Sequence, residues 1–323
     1  MGVEFRNEGV KSNVLGKPMK EPQDVPFEKE GQYLKSDNRS NISYFLEHNV
    51  LLRRFTLSVG VLANYNSALN EGIHFYPGID ASYRIGDNFR LYGSWNRALR
   101  MPTFTDLYYE GKTNKGNPDL KPEESEAFEV GLKYNTYFLR AHIAGFYRKG
   151  KNMIDWVKEK PEDIWESRNL TKVDNLGFET NLSLLPRELG NERFFIRKIE
   201  LGYAFIHQDK DSEGYISNYA LDYLKHKFTA QLSHSIWKGF SATWYVRWQD
   251  RAGSYTKYEN LKPAYEEPYA PYCLVDMKVN WEYQRLNLYA ELNNLLNSTY
   301  YDLGNIPQPG IWFKAGFRYS FKY

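Results

Sequence analysis

The side chains best suited to chemistry in this 323-residue chain are aromatic groups with polar tips and a few arginines, gathered in the polar stretches between apolar-patterned segments. Tyr108, Tyr109, Trp165, Tyr215, Tyr219, Tyr255, Tyr258, Tyr265, Tyr300, Tyr301 and Trp312 fall there, with Arg97, Arg100 and Arg251 beside them. Rings that join apolar area to a hydrogen-bonding tip suit a bulky, partly apolar small molecule such as a metal chelate. Guanidinium groups suit its carboxylates or phosphates. Arg97, Arg100, Tyr108, Tyr109, Trp165, Tyr255, Tyr258, Tyr300 and Tyr301 are therefore the candidate ligand contacts. For any one of them the structural reading, packing between loops or seating at a membrane interface, carries more weight.

Catalytic signals fail on spacing. Asp209-Lys210-Asp211-Ser212-Glu213-Gly214 opens like a calcium loop, but the twelfth position is Ala220 where a bidentate glutamate belongs. Glu123-Glu124 and Glu266-Glu267 are adjacent, so on a strand their carboxylates diverge and form no hydrolase dyad. The six histidines lack metal-ligand spacing, and His226 and His234 fall in an apolar register. The lone Cys273 excludes an internal disulfide and a cysteine-cluster metal site. Phosphate loops, nucleophile elbows and HExxH are absent from the sequence. The expectation is a non-enzyme with no catalytic residues, no cofactor and no metal site.

The elements that must position these residues have period two. Phe55, Leu57, Val59, Val61, Ala63 and Tyr65 alternate with Thr56, Ser58, Gly60, Leu62, Asn64 and Asn66. Phe240 to Gln249 and Leu176 to Leu184 repeat the pattern, and Ile311 to Tyr323 gives it most cleanly. Such alternation marks a strand with one apolar and one polar face. About 14 strands are expected, beginning near residues 3, 40, 53, 74, 89, 125, 137, 174, 196, 226, 239, 272, 286 and 311. Short joints (Gly86-Asp87-Asn88, Asn135-Thr136, Trp237-Lys238-Gly239, Tyr283-Gln284-Arg285) alternate with long ones near 14–38, 98–124, 158–170, 208–224, 250–270 and 297–310. Short turns at one end and long loops at the other mark an outer-membrane barrel, and an even strand count puts both chain ends on the periplasmic side.

Composition agrees. Aromatics make up 17% of residues, as the aromatic girdles of membrane barrels require. A mean hydropathy of −0.66 excludes a helical membrane protein but not a barrel, whose every second residue faces a wet lumen. The net charge of +2 argues against nucleic acid as a partner. Outer-membrane lipid is the expected partner instead. A soluble β-sandwich or propeller fits less well, because the faces opposite the apolar ones carry Arg, Glu, Asn and Tyr in bulk and no blade-length repeat occurs.

Two stretches carry a resemblance. Tyr92-Gly93-Ser94-Trp95-Asn96-Arg97 leads into Met101-Pro102-Thr103-Phe104-Thr105-Asp106-Leu107-Tyr108, then Gly116-Asn117-Pro118-Asp119-Leu120-Lys121-Pro122-Glu123-Glu124-Ser125, then Glu129-Val130-Gly131-Leu132. Near the end stands Glu291-Leu292-Asn293-Asn294-Leu295-Leu296-Asn297, and Gly177-Phe178-Glu179 lies between. In order and spacing these resemble the TonB-dependent receptor family. The proline-rich segment also has its own physical reading. Pro102, Pro118 and Pro122 cannot donate to a ladder and keep it out of the sheet, and Gly116-Asn117 supplies a turn, so the loop is structured.

The resemblance implies an all-β, antiparallel transmembrane barrel: 1–323 as the C-terminal part of one barrel domain, about 14 of roughly 22 strands, with the plug domain absent. It implies energised uptake of a scarce small-molecule metal chelate across the outer membrane of a Gram-negative bacterium. Cobalamin comes first, partly because Met153-Ile154-Asp155-Trp156 falls where vitamin B12 transporters carry a similar segment, then ferric siderophores, then haem. The other implied partners are the plug, the N-terminal strands and, through the absent N-terminus, the TonB complex. Met1 to Phe5 lacks the charged and apolar regions of a signal peptide and already reads as a barrel strand, so Met1 is expected to be an internal residue. A passive porin and a barrel enzyme are the other readings. The first expectation is therefore that an antibody to the C-terminal strand detects, in isolated outer membranes, a band much heavier than 38.1 kDa. A band at 38.1 kDa would count against energised transport.

Overall fold

The computed structural model describes all residues except 29, 70–71, 161, 191–192, 212–213, 218–222, 260–261 and 322–323. Fourteen long strands run in chain order: β1 Gly2–Ser12, β2 Gln32–Leu51, β3 Phe55–Asn66, β4 Ile73–Ile85, β5 Phe89–Arg100, β6 Glu123–Asn135, β7 Leu139–Lys158, β8 Trp165–Leu184, β9 Ile196–Asp211, β10 Leu224–Trp237, β11 Phe240–Arg251, β12 Tyr272–Tyr283, β13 Leu286–Asn293 and β14 Trp312–Tyr319. Each pairs antiparallel with the next, from β1–β2 through β13–β14. Among the described residues no ladder joins β14 to β1.

The burial pattern is inverted relative to a water-soluble protein. Nine apolar side chains are buried among the described residues, whereas Val59, Ile79, Val130, Ile143, Leu176 and Phe317 stand exposed on one face. Val130 is 59% and Phe317 74% exposed. The buried groups include Arg39, Asn41, Asn64, Asn66, Asp106, Glu123, Asp155 and Asp174. An apolar outside over a polar inside is what hydrocarbon solvent selects.

The apolar band has a definite height. On β7 it runs from Leu139 to Tyr147, nine residues, within the roughly 9–11 needed to cross a bilayer. Rings mark its lower edge: Phe89 lies 4.6 Å from Tyr134, Tyr137 5.2 Å from Phe138, Phe194 5.2 Å from Phe195, and Phe240 6.0 Å from Trp281. His226 and His234 do fall in the outward register: His226 packs 4.9 Å from Phe205, and His234 accepts from Trp244 at 3.2 Å.

The family's Glu-x-Gly signature has a cross-strand explanation. Tyr92 on β5 faces Gly131 on β6, and a Cβ at Gly131 would lie 2.5 Å from the Tyr92 ring. The ring therefore lies flat across the glycine, and its hydroxyl reaches Glu129 at 2.8 Å and His142 at 2.7 Å. Tyr289 lies over Gly316 in the same way at the other end of the sheet.

Strand counts and turns agree with expectation, but two strands start earlier. β2 begins at Gln32 and β8 at Trp165, so Trp165 sits in a strand and not in a loop. The β7–β8 ladder continues to Val157 opposite Glu166, well above the membrane. There neither face meets lipid, so alternation disappears from the sequence although the backbone pairing continues. Several loops are likewise built from short strands: Lys17–Asp24, Asn114–Lys115, Ile216–Ser217, Ser254–Glu259 with Lys262–Pro268, and Tyr301–Leu303 with Ile306–Pro307.

Register gives a direct check. With Cys273 replaced by serine, cysteines at Val59 and Leu176 should react in outer membranes only with a lipid-soluble maleimide. Cysteines at Glu129 and Asn181 should react with a water-soluble one. Reversed labelling would refute the assignment of faces.

Candidate functional site

The segment between β5 and β6 (residues 101–122) is held by a series of local and long-range hydrogen bonds. Thr103 caps the short helix α1, Phe104–Tyr108, accepting from the Asp106 backbone N–H at 3.1 Å, while the Asp106 carboxylate accepts from the Thr103 backbone N–H at 3.0 Å. This reciprocal pair is a capping box. Gly116 then passes so close to the helix that a Cβ would lie 2.8 Å from the Leu107 carbonyl carbon and the Tyr108 nitrogen. The Gly116 and Asn117 backbone N–H groups donate to Tyr109 O at 2.6 Å and Asp106 O at 2.9 Å. Leu120 is buried below the turn.

Long-range bonds fasten this segment to three other strands. Arg39 on β2 is buried, donates to Pro102 O at 2.6 Å, pairs with Glu8 at 2.6 Å and lies 5.0 Å from the Phe104 ring centroid. The Tyr108 hydroxyl donates to Asp37 at 2.5 Å. Burial, reinforced by that carboxylate, pushes the Tyr108 phenol well above its ordinary range, so it remains a donor at any physiological pH. Asn169 on β8 reads the Lys121 backbone as another strand would, accepting from its N–H at 2.8 Å and donating to its carbonyl at 2.9 Å. Glu123 takes Arg100 in two bonds of 2.6 Å and also accepts from the Ile154 N–H at 2.8 Å. It thereby ties β5, β6 and β7 together.

Arg100 is therefore committed to Glu123, and Arg97 lies 3.7 Å from Glu124. Tyr109 meets Trp156 edge-on at 6.5 Å, and Trp165 carries Lys158 at 4.5 Å over its ring. Asp155 is fully buried, where it accepts from the Ser217 hydroxyl and the Trp156 N–H. This packs the Met153–Trp156 stretch into the loop end of the β7–β8 hairpin.

The other candidates form a second group. Tyr255 packs 5.1 Å from Tyr269 and 5.8 Å from Tyr301, with its hydroxyl 3.1 Å from Glu267. Lys257 pairs with Glu267 at 3.0 Å and, with Tyr255, holds that carboxyl below its ordinary value. Tyr300 packs 4.7 Å from Tyr272, whose hydroxyl reaches Asp302 at 2.7 Å. Arg251 donates to Asp302 O at 2.7 Å. Tyr258 remains 56% exposed. Asn294 and Asn297, with φ of 53° and 48°, shape this loop. The Asn294 backbone N–H donates to the Asp276 carboxylate at 2.7 Å, and its side-chain amide donates to Ser298 O at 2.9 Å. Among the described residues no hydrogen bond, ion pair or ring contact connects the two groups. Tyr219 and part of the calcium-like stretch, Ser212-Glu213, lie outside the described residues.

Two cavities adjoin the first group. One, of about 500 Å³, lies on the inner wall between Arg6, Arg39, Asn41, Tyr76 and Arg100. Asn41 Nδ2, Asn64 Oδ1 and the Tyr76 hydroxyl are buried there without a hydrogen-bond partner among the described residues. The other, of about 600 Å³, opens among Lys115–Pro118, Glu166–Asn169 and Tyr215. Arg168 in this wall donates to Tyr215 at 2.5 Å and to Glu166 at 2.8 Å. Sequence reading missed Asp37, Arg39, Arg168 and Asn169, which become significant only through contacts 47 or more residues away.

The family model described as "TonB dependent receptor-like, beta-barrel" matches residues 1–295. Among curated proteins, the vitamin B12 transporter BtuB of Vibrio vulnificus is 26% identical over 52% of this chain and 36% of its own length. The ferrienterobactin receptor of Escherichia coli is 22% identical over 83% of this chain and 38% of its own. A solved structure of the ferric enterobactin receptor PfeA from Pseudomonas aeruginosa, in complex with enterobactin, superposes with a TM-score of 0.73 at 19% identity, covering 99% of this chain and 51% of that one. The chain thus spans little more than a third of the length of these curated relatives, and at such identity the superposition speaks for the fold alone.

The Glu123 clamp should be measurable. Glu123→Ala strips the acceptor from Arg100 and from the Ile154 N–H, a loss of about 1–3 kcal/mol. Trypsin should then cut intact outer membranes at Lys112 or Lys115 roughly ten-fold faster, through local opening of the segment. An unchanged cleavage rate would show that Glu123 does not hold the loop.

Proposed function

The chain belongs to the TonB-dependent receptor β-barrel family, an outer-membrane family of Gram-negative bacteria, and from that premise we propose that it is the ligand-facing barrel portion of an uptake receptor for a scarce chelate. Its homologues are transporters and receptors rather than enzymes. We take residues 1–323 as part of one barrel domain, which further strands close and a plug fills. With two sheet edges unpaired, closure from elsewhere is what a bilayer demands.

The observation that carries the reading is the polar cavity of the inner wall, flanked by arginines and roofed by a loop fixed at both ends. Buried polar groups without partners favour a polar occupant over an empty space. A rigid roof lowers the ordering cost of binding. Arg100 acts on this reading as a pre-paired cation that shapes the wall, Arg97 is turned to the outward face beside Glu124, and Tyr109 and Tyr258 are the rings left open to an incoming ligand. Cobalamin is the preferred ligand, in keeping with the similarity to BtuB, and a ferric siderophore is the second, in keeping with the enterobactin receptors. TonB engagement belongs to the part of the receptor outside this chain.

A strain lacking the complete receptor should lose uptake of labelled cobalamin, and a protonophore should abolish the uptake that the restored receptor provides. Loss of ferric siderophore uptake with cobalamin untouched would move the assignment to the second ligand. Uptake indifferent to the protonophore, with open single-channel conductance, would replace it with a passive channel.

A further inference from the structure

The outward face of the barrel changes from apolar to charged at one height on four consecutive strands, β5 to β8, and β9 carries His207 and then Asp209 at the same two heights. Cross-strand register places Trp95, Phe128, Tyr147 and Leu176 in one row, with Arg97, Glu126, Lys149, Asp174 and Asp209 in the row above. The next row holds Leu99, Glu124, Lys151 and Lys172. On β4 Ile79 faces Trp95, so the outward positions above it are Pro77 and Phe75, opposite Val61 and Ala63 on β3, and none of them is charged. These charged rows span β5–β9, which at about 4.8 Å per strand is roughly 20 Å wide.

Within this sector the acids are already engaged and two lysines are not. Glu124 faces Arg97 at 3.7 Å, Glu126 accepts from the Trp95 indole at 2.8 Å, and Asp174 and Asp209 both take Lys172, at 3.3 and 3.4 Å. Asp174 also accepts from the Tyr147 hydroxyl at 2.8 Å. Among the described residues neither Lys149 nor Lys151 has a carboxylate within 4.0 Å, and both are exposed. Lys151 stands directly opposite Lys172, a like-charge pair that destabilises a ladder unless an anion lies between.

We propose that Lys149 and Lys151, with Lys172 beside them, form a docking site for the phosphorylated headgroup of an outer-leaflet lipid. The site lies one residue pair above the upper limit of the apolar band, so an anion held there has its acyl chains alongside Tyr147, Leu176 and Phe178. A soluble anion would gain nothing from that apolar row. The charge-assisted bonds of the two unengaged ammonium groups match phosphate oxygens.

The test uses the complete receptor in nanodiscs of zwitterionic phospholipid doped with either diphosphorylated lipid A or its dephosphorylated form. The readout is the rate at which Lys149 and Lys151 are acylated by an amine reagent, followed by mass spectrometry. Phosphorylated lipid should slow both lysines about ten-fold relative to the dephosphorylated form. Equal rates in the two discs would overturn the proposal. So would equal protection by inorganic phosphate in undoped discs, because the site would then be one for free anions. As a second measurement, Lys149→Gln/Lys151→Gln receptor should retain about ten-fold less lipid A through detergent extraction, while the inward-register pair Lys225→Gln/Lys227→Gln retains the normal amount. Equal retention in both variants would reject the site.

Discussion

Everything in this structure depends on one constraint: inside a bilayer, each backbone N–H and C=O must find its partner within the protein. The unbroken succession of antiparallel ladders from β1 to β14 is the answer to it. Once the backbone is arranged this way, side chains have only two directions available, and the solvents on the two sides assign them. Val59, Val130, Ile143 and Leu176 go to hydrocarbon, while Glu129, Asn181 and Arg140 go to the lumen. The hydrophobic effect therefore stabilises insertion and not a core, and among the described residues the buried side chains are polar about as often as apolar.

Above the membrane that constraint is lifted and another replaces it. Loops of this length lose much conformational entropy when fixed, so order has to come from specific bonds. The 101–122 segment obtains it from the Thr103–Asp106 capping box, the close pass of Gly116 and the backbone-mimicking Asn169. The loop between β13 and β14 obtains it from Asn294 and Asn297, whose side chains bond the backbone at both ends of the loop. In each case the family's signature residues serve the architecture of the mouth. Their effect on a ligand is indirect: they hold the wall in which it would rest.

The same logic separates the charged groups by role. Glu291 takes Lys278 at 2.7 Å and Lys314 at 3.1 Å, stitching the last three strands on their inner face. Arg39 and Glu123 do so at the mouth. The outward charges of β5–β9 stitch nothing across the lumen; they mark the height at which hydrocarbon ends. A wall that is apolar to one row and charged at the next sets the protein's depth in the membrane to within a residue pair.

Sequence alone settled the strand number, the faces and the alternation of short turns with long loops, because period-two patterning is a local property that each strand carries by itself. It also located the 101–122 segment, because prolines and a Gly-Asn turn declare their incompatibility with a ladder. It could not show where β2 and β8 begin, because above the membrane pairing no longer needs alternation. Nor could it show that Arg97 and Arg100 are already paired, or that Tyr108 reaches Asp37, 71 residues earlier in the chain. The arginine pairs depend on the exact register of β5 against β6, and the tyrosine contact joins elements that meet only after the loop has folded back over the sheet. Tertiary structure alone decides which of two equally plausible arginines or tyrosines is a fastening and which is left open to a ligand.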